Sequence, residues 1–202
     1  MENPPLLALP DKGSHDDELL EELLDRLKIA DWDIILIGDG SGCNWNISAG
    51  WGCVMIDQAT RSRRVRWGAV NRGTVNLAEM MAYFFTLSEI VAEEEAIRAA
   101  TNVRRFRRVH IITDSKYCSG QGGSNNLMPK HHGAFWQAFN DFRAHGLILT
   151  WHWVPRTDLA LNIYVDALSK HARSLITQNV PATETGGDKA DLRSVYDLNP
   201  NC

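Results

Sequence analysis

The spacing of apolar residues changes period several times along this chain, and each change marks an element. Asp16–Ile29 places Leu19, Leu20, Leu23, Leu24 and Leu27 at helical spacing, with acids at its start, where they complement the helix dipole. Asp33–Asp39 is a short apolar run that ends in glycine-rich sequence, the pattern of a buried strand. Gly50–Asp57 and Arg63–Val70 read as strands separated by a polar turn, so these three strands form an antiparallel meander. Asn76–Ala100 lacks Gly and Pro and is rich in Ala, Leu, Met and Glu, which predicts the longest core helix. Arg107–Thr113 is a second apolar strand. His131–His145 carries Phe135, Phe139 and Phe142 at helical spacing and stops at Gly146. Leu147–Val154 is a strand closed by Pro155, and Leu161–Leu175 is a last helix. The order β-β-β-α-β-α-β-α predicts an α/β fold. Its sheet is mixed and five-stranded, a three-strand antiparallel meander plus two parallel strands, flanked by helices.

Three segments follow from this pattern: residues 1–31 as an acidic N-terminal extension with one amphipathic helix, 32–176 as the α/β domain, and 177–202 as a flexible C-terminal tail. The N-terminal helix has two readings, one packed on the domain and one docking a protein partner. No apolar run approaches the roughly 18 residues of a membrane span, and the first residues show no basic region followed by an apolar block. The expectation is a monomeric cytoplasmic protein without membrane contact. None of the four cysteines, Cys43, Cys53, Cys118 and Cys202, forms a C-x-x-C pair, which argues against a zinc cage.

Net charge is −4, but it is unevenly placed. Residues 1–33 hold ten acids against three bases and residues 177–202 four against two, which leaves 34–176 with 11 acids and 16 bases. A basic centre between acidic ends is the footprint of a phosphate-backbone binder.

Four acids stand where a carboxylate needs a reason. Asp39 and Asp114 each end an apolar strand, where an isolated buried carboxylate is costly. Glu79 lies early in the long helix among mostly apolar neighbours, and Asp166 lies early in the last helix. Singly, each is also read as a turn residue or an answer to a helix dipole. Together they form an oxygen-rich donor set suited to Mg²⁺ or Mn²⁺.

The ordered motifs around these acids resemble the ribonuclease H family over roughly residues 32–175. They are Gly38-Asp39-Gly40-Ser41-Gly42, then Gly50-Trp51-Gly52, Thr74-Val75-Asn76-Leu77-Ala78-Glu79, Thr113-Asp114-Ser115, Trp153-Val154-Pro155-Arg156, and Asn162 four residues before Asp166. The resemblance implies a ribonuclease H-like fold and endonucleolytic cleavage of the RNA strand of RNA–DNA hybrids. It implies two Mg²⁺ ions, replaceable by Mn²⁺, held by Asp39, Glu79, Asp114 and Asp166, and products with 5′-phosphate and 3′-hydroxyl ends.

The loop 155–161 has no His, unlike many type 1 members, and resembles a subset with Val-Pro-Arg here that includes reverse-transcriptase-like domains. His152 and His171 lie nearby without matching that position. The basic helical handle of several members is reduced to the short segment Gly120–Asn126.

RNA is distinguished from DNA by its 2′-hydroxyl. By motif alignment Asn76 and the backbone around Gly40, Ser41 and Cys43 are placed to read it, with Asn76 alternatively a helix N-cap. Thr74, Lys116, Asn125 and Lys130 are candidates for phosphate contacts, and Asn162 belongs to the same substrate-side set. Among Trp51, Trp67, Trp136, Trp151 and Trp153 the core reading leads, and the resemblance implies Trp136 as the exception, near the DNA channel. Arg104, Arg105, Arg107 and Arg108 are not assigned to substrate. Two alternatives remain: a weak or inactive nucleic-acid-binding module on this fold, or another nuclease on it. Ser41, two residues after Asp39, argues against an exonuclease with a D-x-E pair.

Overall fold

A computed structural model of the chain describes residues 15–42, 48–60, 62–71, 73–122, 132–179 and 195–197. The elements are α1 (His15–Leu27), β1 (Ile34–Ser41), β2 (Ala49–Asp57), β3 (Ser62–Val70), α2 (Val75–Thr101), β4 (Arg107–Thr113), α3 (Lys116–Gly122), α4 (Gly133–Ala144), β5 (Leu147–Trp153), a 3₁₀ turn (Arg156–Asp158), α5 (Ala160–Asn179) and β6 (Val195–Asp197). The sheet order is β5-β4-β1-β2-β3-β6. β1, β2 and β3 form the antiparallel meander, while β4 pairs parallel with β1 and β5 parallel with β4. The expected five-stranded mixed sheet is therefore present. A sixth strand joins it, because Val195–Asp197, within the segment read as a tail, pairs antiparallel with Gly68–Val70 of β3.

β1 is buried along its whole length because both its faces are covered. Ile34 and Leu36 join a core under α2 and α4, and Ile35 and Ile37 join a second core on the opposite face. That second core contains Leu20, Leu23 and Leu24 of α1 and Leu161 and Val165 of α5. The apolar stripe of α1 is thus spent on the domain itself, which leaves only its acidic face for any partner. α2 is long and apolar enough to cross a membrane by length and composition, but it packs on the sheet and buries Leu77 through Tyr83.

Two glycines set how closely helices approach the sheet. A Cβ on Gly40 would overlap the backbone nitrogen of Glu79 and lie 2.7 Å from the carbonyl carbon of Ala78. A Cβ on Gly50 would overlap the backbone of Ser169 and Arg173. The first contact seats the start of α2 against the end of β1, and the second seats α5 against β2. Glu79 and Asp166 are positioned by these two close approaches.

α3 was not legible in the pattern, because Gly120 and Gly122 break helical propensity. Its start is secured by Ser115: the Cys118 amide donates to the Ser115 Oγ at 3.2 Å, an N-cap within the Asp114-Ser115 step.

Candidate active site

β1 and β4 run parallel side by side and end together, so the acids that follow their apolar runs come out at one edge. Asp39 is only 3% exposed and Glu79 7%. Ligand oxygens of Asp39, Glu79 and Asp114 all lie within 4.8 Å of one another. Tyr83, one helical turn after Glu79, underpins this edge. Its hydroxyl lies 2.6 Å from the Gly38 carbonyl oxygen and 3.3 Å from that of Ile112, so a single O–H donor faces both strands just before their acids.

The electrostatics follow from crowding in a dry place. Burial pushes the Asp39 carboxyl up to about 7, and the nearby charge of Asp114 adds to it, while Arg156 and the Gly40 amide oppose it. Burial likewise raises Glu79 to about 6, against the stabilising hydrogen bond from Ser115 Oγ at 2.6 Å. Carboxylate oxygens converging from β1, α2 and the end of β4 are a donor set that a hard divalent cation satisfies.

No family model and no curated protein matches the sequence. Solved structures do. The N-terminal RNase H domain of Rv2228c from Mycobacterium tuberculosis matches with a TM-score of 0.53 and 21% identity, over 72% of this chain and 96% of the other. LC11-RNase H1, isolated from compost by a metagenomic approach and solved with an RNA/DNA hybrid, matches with a TM-score of 0.52 and 19% identity, over 72% and 99%. The foamy viral protease-reverse transcriptase in complex with RNA/DNA hybrid matches with a TM-score of 0.51 and 17% identity, over 72% of this chain and 20% of the other. This chain has the ribonuclease H fold.

On the ribonuclease H fold the fourth acid stands apart from the other three. Asp166, in the second turn of α5, is not in the set that converges within 4.8 Å. Arg156 Nη1 lies 3.5 Å from its Oδ1, and Lys170 Nζ lies 2.6 Å from its Oδ2.

The candidate substrate residues divide. Gly40 is required by packing, as described above, and Ser41 is buried at the end of β1. Thr74 is the N-cap of α2, its Oγ1 accepting from the Leu77 amide at 3.2 Å. The N-cap alternative for Asn76 is therefore corrected, and Asn76 is exposed in the first turn. Lys116 is exposed at the start of α3, with its ammonium 5.3 Å from the centre of the Trp153 ring. Asn162 is buried, and its Nδ2 donates to the Pro155 carbonyl at 3.3 Å, so it braces the turn before α5 rather than facing solvent. Trp136 is corrected outright: it is fully buried, packed on Phe139 and Trp151, with Nε1 donating to the Tyr117 hydroxyl at 3.4 Å. Large flat apolar surface on α4 is needed to cover the sheet, and Trp136 supplies it. Of Trp51, Trp67, Trp136, Trp151 and Trp153, the exposed one is Trp153, which is 47% exposed and donates through Nε1 to the Asp114 carbonyl at 3.0 Å. Asn125, Lys130 and Cys43 lie outside the described residues.

The histidines near the loop are engaged elsewhere. His152 Nε2 lies 2.9 Å from His110 Nδ1, and His110 Nε2 lies 3.1 Å from buried Asp33. His171 packs edge-on against Trp67. Much of the basic surplus is also internal. Arg64 pairs with Glu89 and Glu93, Arg66 with Glu89, Arg105 with Glu94, and Arg107 with Glu94 and Asp57. These arginines pair with acids of α2 and with Asp57 at the end of β2.

Pattern reading missed Tyr83, Ser115 and Arg156 as site residues. The signals were slight: a tyrosine four residues past the helix acid, a serine after the strand-end acid, and an arginine after Pro155.

Proposed function

We propose that this chain is a metal-dependent ribonuclease H that hydrolyses the RNA strand of RNA–DNA hybrids internally. The observation that carries the reading is the convergence of Asp39, Glu79 and Asp114 on one edge of a ribonuclease H fold. Similarity to LC11-RNase H1, whose structure was solved with such a hybrid, supports the choice of substrate class.

Asp39, Glu79 and Asp114 would hold divalent ions, with Asp166 joining them from α5. Bound Mg²⁺ supplies a Lewis acid and an activated water at the phosphodiester. The protein's own contribution is geometric. Tyr83 ties together the strand ends that carry Asp39 and Asp114, Ser115 orients Glu79, and the close Gly40 contact fixes the spacing between β1 and α2. Asn76, exposed one turn before Glu79, is assigned to the ribose 2′-hydroxyl. Lys116, beside Asp114, is assigned to a phosphate, and Trp153 limits the sideways freedom of Lys116.

Asp39→Asn and Asp114→Asn test the assignment. Each is expected to reduce hybrid cleavage by at least about 10³-fold while circular dichroism and hybrid binding stay close to the parent. Turnover retained in either purified variant rejects these acids as the catalytic set. Hybrid binding without cleavage in the parent favours the binding-module alternative.

A further inference from the structure

Arg156 is the point where the acids are tied together. All three guanidinium nitrogens meet acids, and the acids come from three places in the fold: Asp39 in β1, Asp114 just after β4 and Asp166 in α5. Nε lies 2.6 Å from Asp114 Oδ2, Nη2 3.4 Å from Asp39 Oδ2, and Nη1 3.5 Å from Asp166 Oδ1. The turn that carries Arg156 is itself anchored. Asn162 Nδ2 and the Asp158 amide both donate to the Pro155 carbonyl, and the Asn162 amide donates to that of Leu159.

The carboxylates of Asp39, Asp114 and Asp166, gathered around one side chain, repel one another. A planar guanidinium, with five donors in a fixed fork, is the side chain that can answer several at once. The atoms it occupies matter. An ion coordinated by Asp39 and Asp114 draws on the same carboxylate groups, and a divalent cation beside a guanidinium is strongly repelled. Both cannot hold the site together. Arg156 is 51% exposed, so its side chain can leave without disturbing the core.

We propose that Arg156 is the internal counter-cation of this site: it holds Asp39, Asp114 and Asp166 together when no ion is bound, and divalent cations enter by displacing it. The inference rests on reading the acids as a metal site. It assigns Arg156 a positioning role that sets metal affinity. Lys170 plays the corresponding part for Asp166 alone, through its 2.6 Å contact.

The test is Mg²⁺ titration by calorimetry on the full chain, with thermal unfolding in EDTA and in Mg²⁺. The parent is compared with Arg156→Gln, Arg156→Lys and Asp39→Asn. Arg156→Gln is expected to melt lower than the parent in EDTA and to bind Mg²⁺ roughly tenfold more tightly, the scale set by three partly exposed ion pairs. Its gain in Tm on adding Mg²⁺ then exceeds the parent's. Arg156→Lys falls between, because an ammonium keeps the charge but cannot bridge three carboxylates. A merely structural Arg156 would lower Tm in both buffers without tightening Mg²⁺. Equal or weaker Mg²⁺ binding by Arg156→Gln overturns the counter-cation role. If the parent binds Mg²⁺ and Asp39→Asn does not, that result leaves the metal site standing. Absence of Mg²⁺ binding in the parent and in both Arg156 variants overturns the metal reading as well.

Discussion

At the scale of single residues, the site is built from groups that oppose one another. Asp39 is raised to about 7 by burial and then by Asp114, and Glu79 to about 6 by burial against the Ser115 hydrogen bond. A carboxyl whose folded value lies above its unfolded one binds its proton more tightly in the native state. Stability is then fullest below the ordinary carboxylate range and falls as pH rises through the folded values. Without divalent ions, Tm is expected to drop between about pH 4 and pH 7 and to level off above. Asp39→Asn should flatten most of that drop. A Tm that rises over this window in EDTA contradicts the assignment. Mg²⁺ affinity should climb over the same range, since coordination needs ionised carboxylates. Tyr83 offers a second residue-scale test: Tyr83→Phe removes the hydroxyl that joins Gly38 and Ile112 and is expected to cost about 1 to 2 kcal/mol in denaturant unfolding. Asp39 and Asp114 were legible because a carboxylate at the end of an apolar strand is out of place, and Glu79 because its helix neighbours are mostly apolar; Asp166, read with them, lies outside the converging three. Tyr83 was not legible, because a tyrosine in an apolar helix reads as core, and its hydroxyl's partners are 29 and 45 residues away in sequence.

At the scale of elements, periodicity identified the main strands and helices to within a residue or two, except that the last helix runs four residues past Leu175 to Asn179, into the segment read as a tail, and the failures have causes. α3 was hidden by its glycines and revealed only by its Ser115 cap. β6 was hidden because three residues of a polar segment carry no period, and it exists through pairing with β3. Trp136 was misplaced because its role was carried over from the family resemblance, whereas the pattern of α4 itself pointed to the core, where the side chain lies. The element-scale prediction concerns Gly40. Gly40→Ala would push β1 and α2 apart at a backbone-to-backbone contact, which cannot relax by side-chain rotation. A loss of roughly 2 to 4 kcal/mol in stability is expected, together with weaker metal binding because Asp39 and Glu79 separate. Unchanged stability in Gly40→Ala would show that this approach is looser than described.

At the scale of the whole molecule, one mixed sheet is covered on both faces, and its two halves meet at β1. α1 belongs to this architecture. Leu20, Leu23 and Leu24 cover Ile35, Ile37, Val54 and Ile56, so removal of residues 1–28 should lower stability by about 4 kcal/mol or more. A truncated chain that melts with the parent would mean that α1 contributes little. Under the proposed function a charged polymer is handled at the acid-lined edge and its described neighbours Lys116, Trp153 and Arg156, whereas Arg64, Arg66, Arg105 and Arg107 pair with Glu89, Glu93, Glu94 and Asp57.

The central claim is tested most directly by cleavage of end-labelled RNA–DNA hybrid, double-stranded RNA, single-stranded RNA and double-stranded DNA, each with Mg²⁺, Mn²⁺ or EDTA. The account predicts internal cuts confined to the RNA strand of the hybrid, leaving 5′-phosphates and 3′-hydroxyls, and lost in EDTA. Cleavage that persists in EDTA, or that falls equally on all four substrates, would contradict it.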